Sequence, residues 1–102
     1  MYKLKITEAA QNDIENIVEY IAVQLDNRIA AIDFLDEVEK CYSNLRENPF
    51  IYAKSSDARL QEEGYRKAHI KNYLLMFKIR EESKEVFIYR VFYSASNYFK
   101  LL

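Results

Sequence analysis

Lys67 and His69 stand two residues apart in GYRKAHIKNYLLMFKI, residues 64–79, with Arg66 and Lys71 beside them. If this stretch is a strand, alternation sends Lys67 and His69 to one side of a sheet. An ammonium beside an imidazole is a pair that can hold a phosphate and exchange a proton near neutral pH. Tyr93 and Tyr98, further on, add phenols that can stack on bases or move protons. Arg59, Arg66, Lys78 and Arg80 supply cations suited to binding phosphate or an acidic partner. Each has a plainer reading as well. A lone histidine without a neighbouring carboxylate is commonly a surface residue, and lysines along an edge strand discourage sheet-to-sheet aggregation. No zinc ligand spacing, phosphate-cradling glycine loop or Ser-His-Asp arrangement is present, so neither metal nor cofactor is expected.

The elements that must position these groups can be read from periodicity. YKLKI (2–6) alternates apolar and basic residues and predicts a half-buried strand. Thr7 offers a hydroxyl cap, and Ala10, Ile14, Ile17, Val18, Ile21 and Leu25 form a helical stripe. Asp26 or Asn27 can cap a second helix with the stripe Ala31, Phe34, Leu35, Val38, Cys41, Tyr42 and Leu45, which Pro49 closes. Residues 50–63 read as a loop with at most a short strand or turn. YRKAHI (65–70), NYLLMFKIRE (72–81) and EVFIYRVFY (85–93) are rich in aromatic and branched residues and are joined by links short enough for hairpins. The prediction is an α+β domain spanning 1–102. It begins with an N-terminal strand and an antiparallel two-helix hairpin, and continues as an antiparallel β-meander, β-α-α-β-β-β, with a short C-terminal helical tail.

Strand parity assigns faces. Ala68, Ile70, Tyr73, Leu75, Phe77 and Ile79 suit the helix-facing side, leaving Tyr65, Lys67, His69, Leu74, Met76, Lys78 and Arg80 outward. In the last strand Val86, Ile88 and Phe92 share parity with Arg90, opposite Phe87, Tyr89, Val91 and Tyr93. Arg90 on an apolar parity calls for a carboxylate from a helix.

Composition narrows the class. The chain has 102 residues, of which 50% are hydrophobic and 30% charged, with a net charge of −1. That describes one ordinary domain. Charge is unevenly spread: residues 8–48 carry three basic and ten acidic groups, and residues 49–102 carry ten and six. An acidic helical layer and a basic sheet layer follow. The single cysteine, Cys41, excludes an internal disulfide. No apolar run reaches the ~20 residues of a membrane span and the N-terminus is not a signal peptide, so the cytoplasm is the expected compartment.

The order of elements and the local wording together resemble the RelE/ParE superfamily of bacterial type II toxin-antitoxin toxins. The residues that carry this are Ile6-Thr7 with Ala9-Ala10, then Ala30-Ala31 and Phe34-Leu35-Asp36-Glu37, the Asn48-Pro49 stop, the GYRKxxIxNYLLxFKI hairpin and RVFYSASNYFKLL. The resemblance covers the whole chain. It implies a growth inhibitor that either cleaves mRNA in the ribosome, as RelE-like members do, or poisons DNA gyrase, as ParE-like members do. It also implies a cognate antitoxin that wraps over the toxin in a hetero-oligomer. For the nuclease alternative, the resemblance puts Lys67 and His69 at the catalytic second-strand positions, with Tyr93 and Tyr98 as stacking or proton-transfer groups and Arg59 and Arg66 as substitute cations. Leu74 falls where RelE-like nucleases have a third-strand arginine, and Ser94-Ala95-Ser96 falls where basic residues are common. Loss of one such electrostatic donor costs about two orders of magnitude in rate. A catalytically degenerate homologue, acting as an antitoxin-binding or co-repressor domain, is the third possibility.

Overall fold

The computed structural model describes residues 1–96 and 98–102, apart from the side chains of residues 98 and 99. Strand β1 (Lys3–Ile6) leads into helix α1 (Glu8–Glu19), which continues as a π-helical turn, Tyr20–Gln24. Helix α2 (Arg28–Glu47) returns antiparallel, followed by a 3-10 turn (Pro49–Ile51) and a short helix α3 (Ala58–Glu62). Strands β2 (Arg66–Ile70), β3 (Tyr73–Arg80) and β4 (Glu85–Tyr93) complete the sheet, and a 3-10 turn spans Tyr98–Leu101.

Thr7 shows how the chain turns from strand to helix. Its hydroxyl accepts from the Ala10 amide at 3.0 Å and donates to the Tyr89 carbonyl at 2.8 Å. The helix cap and the sheet are thereby one hydrogen-bonded unit. Asn27 caps α2 by accepting from the Ala30 amide, and α2 ends ahead of Pro49.

The sheet order is β1-β4-β3-β2, with β1 parallel to β4 and the other pairs antiparallel. The meander is as expected, and the first strand joins its far edge. Both helices cover one face. Ala10, Ile14, Phe34, Val38 and Leu45 pack there against Ala68, Ile70, Leu75, Phe77, Val86, Ile88 and Val91. Each fully buried large side chain in this layer contributes roughly 1.5–3 kcal/mol. Leu25 and Leu35 belong to the expected stripes but stand 55% and 41% exposed. Other members of those stripes, Ile21, Ala31 and Phe34 among them, face inward as expected.

Two differences from the sequence reading bear on function. In β4 the register steps from Met76↔Arg90 to Phe77↔Ile88, so Tyr89 is an unpaired bulge residue. One extra residue reverses parity beyond it. Val91 therefore joins the helix-side core, and Phe92 moves to the outer face, the reverse of simple alternation from Val86. The second difference is a small core on the outer face, where Leu60 of α3 packs with Tyr65, Leu74, Met76 and Phe92, flanked by Tyr89 and Leu102. The segment 50–63 is thus a structured cover. Asp57 caps α3 by accepting from the Leu60 amide, and Gly64, at φ 94°, turns the chain into β2 where a side chain would be strained. The Ser55 amide donates to the Tyr65 carbonyl and the Lys67 amide to the Ala53 carbonyl, closing part of the β2 edge.

Candidate functional site

The outer sheet face carries alternating cations and aromatic rings. Lys78 Nζ lies 4.4 Å from the Tyr65 ring centroid and 5.3 Å from that of Tyr89. The Arg80 guanidinium sits 4.9 Å over Phe87, and that of Arg90 sits 4.8 Å over Phe92. Lys5 of β1 shares this face, paired loosely with Glu85 at 3.9 Å. These stacks hold the charged heads at fixed positions while leaving them hydrated, each contributing about 0.5–1 kcal/mol. The result is an open basic surface across β1, β4 and β3 that meets the small outer core at Tyr65 and Tyr89.

Arg90 is the best anchored of these cations. Its Nε and Nη2 donate to Asp13 of α1 at 2.7 and 3.0 Å, and the Val91 amide donates to the same carboxylate at 2.9 Å. The hydrogen bonds to Asp13 raise the Arg90 pKa further above its ordinary value. The helix carboxylate expected for Arg90 is present even though the bulge moves Arg90 to the outer-face parity of Met76, and the same carboxylate closes the β4 edge left open beyond the end of β1.

Among the described side chains matched to nuclease catalysis, Tyr93 is set apart from Lys67 and His69 by the sheet. Lys67 and His69 lie on the outer face, in register with Met76 and Leu74. Lys67 Nζ donates to Ser56 Oγ at 3.3 Å, and His69 is exposed with no side-chain hydrogen bond among the described residues. Tyr93 lies on the opposite, helix-facing side, paired with Tyr73 at a ring separation of 5.9 Å. The bulge at Tyr89 puts it there: parity counted without a bulge holds Tyr93 on the side opposite Val86, and the structure reverses this. The Tyr98 side chain lies outside the described residues.

The additional cations are dispersed as well. Arg66 faces the helix side, donating to the Tyr52 carbonyl at 2.7 Å and stacking 5.1 Å over Phe50. Arg59 on α3 pairs with Glu63 at 2.6 Å. Leu74 is 4% exposed, and the outer core fills the space a third-strand arginine would need. No cluster of three His, Cys, Asp or Glu side chains is placed to hold a metal ion among the described residues.

A groove of about 580 Å³ opens where the π-helical turn leaves the sheet, lined by Asn16, Ile17, Tyr20, Leu25, Tyr73 and Tyr93. Burial is the main cause that pushes the Tyr73 phenol above its usual pKa, with Tyr20 and Tyr93 adding to it. Sequence periodicity alone could not reveal this hollow, because a π-helical turn offsets the stripe of α1 at Tyr20. With aromatic walls, two asparagines (Asn16 and Asn72) and few charges, it suits a peptide more than a phosphate. Among the described residues no helix is long and apolar enough to cross a membrane.

Comparison with known proteins matches residues 4–98 to a family model described as the ParE toxin of the type II toxin-antitoxin system parDE. No curated protein matches. Among solved structures, the chain is similar to one from the chromosomal ParDE toxin-antitoxin system of P. aeruginosa. The TM-score is 0.69 and the identity 21%, over 91% of this chain and 96% of that one. It is also similar to one in the RelBE2 toxin-antitoxin complex of Mycobacterium tuberculosis, at TM-score 0.51 and 19% identity, over 90% and 96% of the two chains.

Proposed function

The chain belongs to the ParE toxin family of type II toxin-antitoxin systems, and from that premise we propose that it arrests growth by binding and poisoning DNA gyrase. On this reading it does not cleave mRNA, and a cognate antitoxin holds it inactive. The observation that supports an interaction mechanism most directly is the division of Lys67 and His69 from Tyr93 by the sheet itself. In-line attack by a ribose hydroxyl needs base, acid and phosphate ligands around one atom. Leu74, buried in the outer core, further lowers the positive charge available to a transferring phosphate.

Both similar structures come from toxin-antitoxin systems, which supports an antitoxin partner for this chain. Lys5, Lys78 and Arg80 form the basic face expected to attract an acidic antitoxin. On this reading the aromatic groove beside Tyr20 and Tyr93 takes a further part of the antitoxin.

Expression in a bacterium, alone and with the candidate antitoxin, tests the class. Growth arrest alone and rescue with the antitoxin are expected. Growth unaffected in both strains leaves the degenerate-homologue reading in its place. Supercoiling by purified gyrase and toeprinting of translating ribosomes then separate the mechanisms: loss of supercoiling with intact mRNA is expected, and A-site cleavage with normal supercoiling overturns the proposal. The double substitution Lys67→Ala with His69→Ala is expected to leave growth arrest intact.

A further inference from the structure

Helix α2 carries a second apolar stripe that the fold does not use. Ile29, Ile32 and Leu35 follow at spacings of three and are 75%, 58% and 41% exposed, on the side away from Ala31, Phe34 and Val38. Val23, 67% exposed, lies at the same tip of the hairpin. Scattered exposed leucines need no explanation, but consecutive branched side chains along one helical face are costly to leave wet and mark contact surfaces. The stripe is edged with carboxylates. Asp33 and Asp36 follow Ile29 and Ile32 by four residues and Glu39 follows Leu35 by four, so each stands beside its apolar neighbour. All three are exposed, as is Asp26 at the tip, and none of the four makes an ion pair among the described residues; the exposed Arg28 beside Ile29, and Lys40 paired with Glu37, reduce the negative charge of this side without cancelling it. A negative rim around an apolar centre attracts a surface of the reverse polarity. It repels a second copy of itself, since a two-fold contact would set like charges against each other.

We propose that Ile29, Ile32 and Leu35, rimmed by Asp33, Asp36 and Glu39, form the surface that grips the protein target. The partner it fits is an apolar patch bordered by Lys and Arg, which enzymes that handle DNA present along their nucleic-acid path. The inference rests on the proposed function and adds where the target is held. The apolar centre supplies most of the affinity and the carboxylate rim accelerates encounter.

The test uses purified gyrase supercoiling with the full chain, the double variant Ile29→Glu with Ile32→Glu, and the double variant Asp33→Lys with Asp36→Lys. Circular dichroism and thermal melting verify that both variants fold, as surface changes should. The isoleucine variant is expected to need about 30-fold more protein for half inhibition. The charge-reversed variant should need about tenfold more at low salt, with the gap narrowing as salt screens the rim. Both are expected to keep the antitoxin complex. Inhibition by the parent chain with equal inhibition by both variants overturns the inference and leaves the proposed function standing. No inhibition by the parent chain removes the proposed function itself. A dimer in light scattering that the isoleucine variant splits, with inhibition unchanged, identifies a second copy as the occupant and overturns the inference. Loss of antitoxin binding with unchanged inhibition overturns it in favour of the antitoxin.

Discussion

Replacing Asp13 by Ala is expected to destabilise the fold more than replacing its partner Arg90. Asp13 accepts three hydrogen bonds, two from Arg90 and one from the Val91 amide. Val91 is 2% exposed and its N–H loses its acceptor, at a cost of about 1–3 kcal/mol. The Arg90 side chain is 27% exposed and still stacks on Phe92, so losing its carboxylate adds about 1 kcal/mol after screening. Asp13→Ala should therefore cost about 2–4 kcal/mol in total. Arg90→Ala leaves Asp13 14% exposed and still bonded to the Val91 amide, and should cost about 1–2 kcal/mol. Asp13→Asn should fall between the two, because its carbonyl can keep the amide bond while its NH₂ cannot pair with a guanidinium. Urea unfolding of the three variants and the Asp13→Ala/Arg90→Ala double mutant gives the ordering and the coupling. In a domain of this size the Asp13→Ala loss corresponds to a fall in Tm of roughly 10 °C or more. Hydrogen exchange should accelerate about tenfold or more at the Val91 amide in Asp13→Ala and much less in Arg90→Ala. If Arg90→Ala proves equal or worse, the ion pair rather than the capped amide dominates and the argument is wrong.

Other outcomes follow from the same geometry. Burial pushes the Cys41 thiol up to about 11 and the Tyr42 phenol up to about 12, so both keep their protons in the fold longer than in the unfolded chain. Their contribution to stability is full below about pH 9 and is lost as pH rises towards 11–12; Cys41→Ala should make that loss shallower in urea melts taken across this range. Leu60→Ala, at a site with no exposure, should cost about 2–4 kcal/mol and accelerate exchange in α3 before the helix-side core opens. Leu74→Arg should give an unstable protein without nuclease activity, since it places a charge in the outer core; a stable variant that cleaves RNA would contradict the account of that face. Gly64→Ala meets no atom within 4 Å, so its expected cost of about 1–2 kcal/mol is entirely backbone strain at positive φ, measurable by thermal melting.

Much of this architecture is legible in residue order, for reasons that also mark the limits. Alternation in β1, β2 and β3 is unbroken, so Lys67 and His69 are correctly assigned to the face opposite Ala68. A helix carboxylate for Arg90 was expected from a parity that the bulge undoes; α1 offers Glu8, Asp13, Glu15 and Glu19, and only three-dimensional packing selects Asp13. A bulge leaves no mark in FIYRVFY, where nearly every residue suits a strand, so the reversal at Tyr89 and the fate of Tyr93 were hidden. Helix α3 has five residues, too few for a stripe; its signals are the Asp57 cap, the buried Leu60 and Gly64. Leu25 and Leu35 border two apolar stripes in the same hairpin, and periodicity does not say which of them faces inward.

The parallel pairing of β1 with β4 has a consequence for how the protein is made. Thr7 bonds to Tyr89, 82 positions away, so the first strand has no lasting partner until almost the entire chain has been synthesised. Such distant closure is slow compared with forming the helical hairpin. At about 5–20 residues per second of translation the delay is several seconds. The α1–α2 hairpin, with Ile29, Ile32 and Leu35 on it, can therefore form while the chain is still being made, whereas the sheet surface is completed only after the last strand has cleared the ribosome.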